Sequence, residues 1–135
     1  MVTAPGDRNA LGLSAGQIVQ ELGWDTDVDE GVRTGVMDAI EGELVEEVDD
    51  AVDVVLLWWR NDDGDVVDGL VDSLTDLTPD GYIWLLTPKV GRPGAVDPAD
   101  LAEGVSTAGM ALTVTVSAGS DWQAHKVVRP KNGRR

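Results

Sequence analysis

Two apolar runs of the sequence end in side chains that could grip a ligand. The first run, residues 52–60, ends in Trp59 and Arg60, and the second, residues 81–89, ends in Lys89. Guanidinium and ammonium groups bind phosphate or carboxylate, and an indole ring offers a flat platform beside them. We therefore predict a binding site for a small anion or a protein partner, built from six candidates: Trp24, Trp59, Arg60, Lys89, Arg92 and Trp122.

The alternative is that the cations of this site are already paired within the chain. The first 87 residues contain 21 acidic side chains and only three basic ones, of which Arg60 is one. Arg60 and Lys89 would then form surface ion pairs with nearby acids, namely Asp25, Asp62 and Asp63. Such exposed pairs are common and contribute only about 0–1 kcal/mol each.

The tryptophans also have a structural interpretation. Trp58 and Trp59 are adjacent, so that in a strand they point to opposite faces of the sheet. If helices cover both faces, at least one of the two rings belongs to the core. Trp122 stands beside Asp121 in a predicted loop, and we expect it to be an exposed contact residue.

No catalytic residue, metal site or cofactor is predicted. The chain has no cysteine, and its single histidine, His125, has no serine or aspartate arrangement around it that would indicate a triad. His125 is therefore expected to have a surface or sheet role. Residues 25–29 resemble the start of an EF-hand loop, but Val36 stands where the bidentate glutamate is needed and cannot bind calcium.

The charge of the chain limits its partners. There are 25 acidic and 10 basic residues, which gives a net charge of -15. An acidic body repels nucleic acid and anionic membranes, so neither is expected as a partner. The polar N-terminus lacks a signal peptide, and no apolar run reaches the length of a membrane span. A cytoplasmic protein is expected, and no pattern predicts its oligomeric state.

The elements that position the candidate site form a single α/β domain. Continuous apolar runs at 52–60 and 81–89 predict strands buried on both faces, with helices expected near 30–41, 66–77 and 97–108. Residues 15–24 fit either a capped helix or a strand, and a strand is preferred because it would begin the sheet. We assign residues 1–11 to a disordered arm, 12–130 to the domain and 131–135 to a basic tail.

The order of these elements predicts a small Rossmann-like fold. It is a three-layer sandwich with a mostly parallel sheet and a C-terminal antiparallel hairpin, and it resembles a reduced class I methyltransferase. Ligands of such folds bind at the carboxyl ends of the parallel strands, where the candidate residues converge. Residues 22–29 there contain one glycine and several carboxylates, whereas a dinucleotide or S-adenosylmethionine requires a Gly-rich turn.

Several blocks carry a closer resemblance. They are residues 15–25 (AGQIVQELGWD), 56–60 (LLWWR), 83–89 (IWLLTPK), 104–109 and the pair Asp121 and Trp122. With them the chain resembles the actinobacterial domain-of-unknown-function family 3052. The resemblance implies a small cytosolic protein without an established activity.

These observations favour a non-enzymatic binding or regulatory protein. Its site at the carboxyl ends of the strands would engage a protein partner or a small anion. The alternative function is a degenerate methyltransferase-like or nucleotide-binding enzyme, which the fold alone suggests.

Overall fold

The computed structural model describes residues 11–47 and 50–130. The tail predicted at 131–135, and all of the predicted arm except Leu11, lie outside the described residues. Leu11 is only 7% exposed, and its carbonyl accepts a hydrogen bond of 3.2 Å from Nε1 of Trp84. Leu11 therefore packs as part of the domain.

Strands and helices alternate along the described chain. Their bounds are β1 Val19–Leu22, α1 Glu30–Ile40, β2 Val52–Trp58, α2 Val66–Ser73, β3 Leu77–Pro88, α3 Pro98–Thr107, β4 Ala111–Ala118 and β5 Trp122–Val128. One five-stranded sheet has the order β1-β2-β3-β5-β4, in which β1, β2 and β3 are parallel and β5 runs against both of its neighbours. This is an α/β fold with a mostly parallel sheet. Within the described ranges, no helix is long and apolar enough to cross a membrane.

The ambiguous segment at 15–24 contains a strand, as preferred. The side chain of Gln17 accepts a hydrogen bond of 2.8 Å from the amide of Ser14, but this pair closes a turn rather than capping a helix. The chain then enters β1, which pairs in parallel with β2 from Val19 to Leu22. Tertiary pairing therefore decides a segment whose local pattern fits both structures.

The chain visits the far edge of β1 before it enters β2. Beyond this edge, one parallel bridge joins Val45 to Gln20. The backbones of Val19 and Glu21 bond to Val45, whereas Ile18 bonds to β2, so Val45 lies on the side of β1 away from β2. After β1 the chain thus moves to the side of β1 away from β2, and after β2 it moves in the opposite direction, to β3.

This reversal defines the ligand position that the fold class favours. Crossovers between parallel strands are almost always right-handed, so steps in opposite directions put their helices on opposite faces of the sheet. The reversal falls between β1 and β2, and open α/β sheets bind ligands at the carboxyl ends of the strands at such a point. We call the space between the ends of these two strands the β1/β2 crevice.

Each face of the sheet buries an apolar cluster. The α1 cluster includes Val19, Val36, Ile40, Val54, Leu56, Trp58, Trp84, Leu86, Trp122 and Ala124. The α2/α3 cluster includes Val55, Leu57, Val66, Leu70, Ile83, Leu85, Leu101, Val105 and Val127. Residues 54–58 of β2 alternate between the two clusters and are at most 3% exposed, which confirms the prediction of a strand buried on both faces.

Two predicted boundaries differ from the structure. The helix predicted to reach residue 77 ends at Ser73, because Leu77 pairs with Val52 and begins β3. The strand predicted from the run 81–89 begins earlier, at Leu77, and residues 78–81 form an irregular part of it, in which the register against β2 shifts. The guanidinium of Arg129 donates to carbonyls of this stretch and holds it in place.

A glycine allows the ends of β1 and β2 to come close. Gly23 follows β1 with φ +78°, and a Cβ built on it would lie 2.2 Å from the carbonyl oxygen of Trp58. That oxygen belongs to the backbone of a buried strand and has little room to move. Both the conformation and the close approach therefore require glycine at this position.

We predict that Gly23→Ala destabilises the fold far more than Gly16→Ala. Gly16 also has a positive φ, +90°, but nothing lies within 4 Å of its missing Cβ, so its variant tests the backbone cost alone. We expect about 1 kcal/mol for Gly16→Ala and about 3 kcal/mol or more for Gly23→Ala. Urea unfolding followed by circular dichroism measures both. Equal losses would show that the strand ends are not in close contact.

Candidate functional site

The guanidinium of Arg60 fills the β1/β2 crevice. Its Nε and Nη2 atoms donate to the carboxylate of Asp27, with an Nε to Oδ2 distance of 3.0 Å. Its Nη1 donates to the carbonyl of Gly23 at 2.7 Å, and the carbonyl of Trp58 lies at 3.5 Å. Arg60 thus joins the end of β1, the end of β2 and the loop that leads into α1.

Two further contacts complete the enclosure of this side chain. The carboxylate of Asp63 accepts from the Arg60 amide at 2.9 Å and from Nη1 at 3.3 Å. The guanidinium also lies 5.3 Å from the ring centroid of Trp122, within the range of a cation–π contact. Arg60 is only 8% exposed, so its donors face partners from its own chain.

The charge of Arg60 stabilises the ionised form of its main partner. The hydrogen bond from Arg60 holds the pKa of the Asp27 carboxyl below its ordinary value of 3.8, although burial opposes the shift. Arg60 is therefore paired, as the alternative interpretation held, with Asp63 and with Asp27 in place of Asp62 and Asp25.

The expectation that Trp122 is exposed was wrong. The residue is 3% exposed, and its ring meets that of Trp58 edge to face with centroids 4.8 Å apart. Its Nε1 donates to the carbonyl of Asp27 at 3.2 Å. The reason is that β5 begins at Trp122, opposite Pro88 of β3, and this pairing turns the ring into the α1 cluster.

A second ion pair, with a buried carboxylate, was not predicted from the sequence. Glu21 of β1 is 4% exposed and accepts from Arg33 at 2.7 and 2.8 Å and from Nε1 of Trp58 at 2.9 Å. The hydrogen bond to Glu21 raises the pKa of Arg33. A signal was available, because Arg33 is another of the three basic residues in the first 87 and lies on the predicted helix.

Of the remaining predicted residues, Arg92 lies near this cluster, whereas no hydrogen bond joins Lys89 or Trp24 to Arg60 among the described residues. Lys89 donates to the carbonyl of Gly119 at 3.2 Å. Arg92 forms an exposed ion pair of 2.9 Å with Asp121, and a pocket of about 300 Å³ brings this pair together with Asp27 and Trp122. Trp24 is 47% exposed after β1. The structure therefore groups Arg60 and Arg92 around Trp122, without Trp24, Trp59 or Lys89.

Trp59 points to the other face of the sheet and lines a cavity of its own. This space of about 380 Å³ lies between the N-terminal ends of α2 and α3. Its acidic lining consists of Asp65, Asp97, Asp100 and Glu103. Asp65 and Asp97 cap their helices through amide bonds of 2.9 and 2.8 Å. Among the described residues that line it, none is basic, so the cavity suits a cation rather than an anion.

His125 is more enclosed than its predicted role suggested. It lies in the sheet, as one alternative held, but it is only 6% exposed. Its Nε2 is 2.9 Å from the hydroxyl of Thr87, and its Nδ1 is 2.9 Å from that of Thr115. Burial lowers the pKa of His125 below 6.5, so the ring is neutral at neutral pH.

Comparison with known proteins identifies relatives of unknown function. The model of a family described as "Protein of unknown function (DUF3052)" matches residues 8–131. The uncharacterized proteins Mb2263c of Mycobacterium bovis and Rv2239c of Mycobacterium tuberculosis are each 48% identical over 123 residues. Each match covers 90% of this chain and 77% of the relative.

Solved structures with a similar fold are methyltransferases. The mitomycin 7-O-methyltransferase MmcR is 14% identical with a TM-score of 0.61, and the match covers 86% of this chain and 50% of that one. A methyltransferase from Pyrococcus furiosus is 16% identical with a TM-score of 0.53, over 90% and 78% of the two chains. This chain thus spans half the length of MmcR, and the likeness is one of fold.

We predict that the Arg60–Asp27 contact stabilises the fold, unlike the exposed Arg92–Asp121 pair. A double-mutant cycle with Arg60→Met and Asp27→Asn is expected to give a coupling energy of about 1–2 kcal/mol, because loss of the Asp27 charge deprives the buried guanidinium of Arg60 of its main acceptor. The same cycle with Arg92→Met and Asp121→Asn should give less than about 0.5 kcal/mol. Chemical denaturation of the wild type, the four single variants and the two double variants provides both values. Similar couplings would contradict the enclosure of Arg60.

We predict that His125 makes the fold less stable in mild acid. Its pKa is lower in the folded chain than in the unfolded one, so its contribution is complete above about pH 6.5 and is lost as the pH falls through the folded pKa. The unfolding free energy of the wild type should therefore fall relative to His125→Gln, by up to about 1.4 kcal/mol per pH unit. Parallel urea titrations from neutral to mildly acidic pH test this. A constant difference would contradict it, since the carboxylates are common to both proteins.

Proposed function

This chain belongs to the DUF3052 family of proteins of unknown function, and we propose that it is a non-enzymatic binding or regulatory protein. It engages the basic surface of a protein partner at the carboxyl ends of its parallel strands. The site comprises the exposed ring of Trp24 and the cavity beside Trp59. A lysine or arginine of the partner enters this cavity.

The observation that carries the proposal is the combination of an indole with carboxylates in one cavity. An indole face attracts a cation, and the attraction is stronger where water is partly excluded. Asp100 and Glu103, on the exposed side of α3, add charge that steers a basic partner toward Trp59. The net charge of -15 acts in the same direction over a longer range.

The β1/β2 crevice supports the non-enzymatic part of the proposal. A Rossmann-type cofactor lies against the backbone after the first strand, where its phosphates or carboxylate need free amides. In this chain Arg60 bonds to the carbonyl of Gly23 at that position, and Asp27 places a carboxylate beside it. A cofactor would have to displace the buried guanidinium of Arg60 from its ion pair before it could bind.

A second candidate is a degenerate methyltransferase-like or nucleotide-binding enzyme. The likeness to methyltransferases over most of this chain favours it, with TM-scores above 0.5. In this interpretation the fold is a three-layer sandwich with a C-terminal hairpin, reduced from a class I methyltransferase. A third possibility is a small anion held by Lys89 and Arg92, whose present partners are Gly119 and Asp121.

The test compares two charge reversals on exposed helix positions. Glu103→Lys changes the cavity, whereas Asp72→Lys makes the same change in net charge on α2, away from it. The ligand is a short peptide rich in lysine and arginine, titrated into labelled protein and followed by amide shifts in NMR. We expect Glu103→Lys to weaken binding about ten-fold, or about 1.4 kcal/mol, and Asp72→Lys to weaken it far less.

Other ligands separate the competing functions in the same assay. A glutamate-rich peptide of equal length should not bind. The proposed site would be overturned if both charge reversals weakened peptide binding equally. It would also be overturned if the peptide shifted the amide signals of neither Trp24 nor Trp59. Saturable binding of S-adenosylmethionine or ATP would favour the enzyme, and phosphate binding at Lys89 and Arg92 would favour the anion site.

A further inference from the structure

A second enclosed pocket lies on the α2/α3 face of the sheet, separate from the Trp59 cavity. It occupies about 220 Å³ between the first turns of α3 and the strands β3, β4 and β5. Leu101 and Ala102 of α3, Leu112 of β4 and Val96 form apolar walls, and Val96 is the described residue that it shares with the cavity beside Trp59. The polar part of its lining comes from the sheet.

His125, its two threonines and Gln123 form this polar part. Both ring nitrogens are occupied, one by Thr87 and the other by Thr115, each at 2.9 Å. A neutral imidazole has one donor and one acceptor nitrogen, so one hydroxyl donates to the ring and the other accepts from it. Which hydroxyl does which depends on the tautomer.

Either tautomer leaves Thr87 with unused hydrogen-bonding capacity inside the pocket. If its oxygen accepts from the ring, its own hydrogen needs an acceptor; if it donates, its lone pairs remain open. Among the described residues, His125 is the partner recorded for this hydroxyl. Thr87 is 2% exposed, and a buried polar group normally uses its bonding capacity. Thr115, in contrast, is exposed and can bond to water.

The charge of the lining excludes most metabolites. Although 26% of the residues of the chain are charged, none of the described residues that line this pocket carries a charge at neutral pH. The one titratable side chain among them is the imidazole of His125, which is neutral. A carboxylate or an ammonium group placed here would lose its hydration without a partner charge. The mouth is also apolar, since Val90 is 75% exposed and Leu112 is 40% exposed.

We propose that this pocket binds a small uncharged molecule with an apolar body and one hydroxyl group. The apolar body contacts the walls formed by Leu101, Ala102 and Leu112, and the hydroxyl pairs with Thr87. A hydroxyl both donates and accepts, so it satisfies Thr87 with either tautomer of His125. This site is distinct from the basic-partner site, and the ligand is recognised by shape and one hydrogen bond.

Matched six-membered-ring probes test the chemistry of the ligand. Cyclohexanol carries the hydroxyl, methylcyclohexane lacks it, and cyclohexanecarboxylate and cyclohexylammonium replace it with a charge. Labelled wild-type protein is titrated with each, and the imidazole signals of His125 are followed by NMR. We expect cyclohexanol to shift these signals with saturation. Binding of each of the other three should be about ten-fold weaker or less, because each leaves a polar group unpaired.

Two variants on one helix locate the site. Ala102→Phe fills the pocket from the exposed side of α3, while Ala99→Phe places the same side chain on an exposed position outside it. Ala102→Phe should abolish the cyclohexanol shifts, and Ala99→Phe should preserve them. Thr87→Val should bring the affinity for cyclohexanol down to that for methylcyclohexane, whereas Thr115→Val should preserve the preference for the alcohol.

Three results would overturn the proposal. One is that no probe shifts the His125 signals up to its solubility limit. Another is that the charged probes bind as well as the alcohol. The third is that the apolar mouth is covered by a second copy of the chain, which sedimentation would reveal as a dimer that Ala102→Phe dissociates and Ala99→Phe does not. A dispersed NMR spectrum for each variant shows that loss of binding is not loss of folding.

Discussion

The bidentate contact between Arg60 and Asp27 closes the β1/β2 crevice, and the surrounding structure depends on it. Burial of a guanidinium is costly unless nearly every donor finds an acceptor. Here the acceptors come from the end of β1, the end of β2 and the loop before α1. The contact therefore fixes the relative positions of three segments.

The elements were predictable where burial repeats along the chain. β2 is apolar at nearly every position because both of its faces are covered. The start of α3 is predictable because Asp97 caps the helix and Pro98 occupies its first position. Element ends were less predictable, because they depend on distant partners. Leu77 leaves the helical pattern only because Val52 lies opposite it in the sheet.

The candidate site shows what kind of information a sequence lacks. The scarcity of cations identified Arg60 as important, but its partner Asp27 is 33 positions away, whereas Asp62 and Asp63 follow Arg60 within three positions. The ring of Trp122 likewise depends on the pairing of β5 with β3, which turned a predicted surface residue into a core one. The role of His125 was predicted from the absence of a catalytic motif near it in the sequence. Its two hydrogen-bond partners are threonines that lie on other strands, so the sequence around His125 does not show them.

The two faces of the sheet therefore differ in how far their polar side chains already bond to one another. Beneath α1, the polar groups at the strand ends already bond to one another, from Arg33 through Glu21 and Trp58. Beneath α2 and α3, polar side chains line two pockets, the acidic cavity beside Trp59 and the uncharged pocket beside His125. Val96 borders both spaces, so a ligand that displaces it in one changes a wall of the other. The recognition that we propose therefore uses the α2/α3 face, where the hydroxyl of Thr87 has unused bonding capacity.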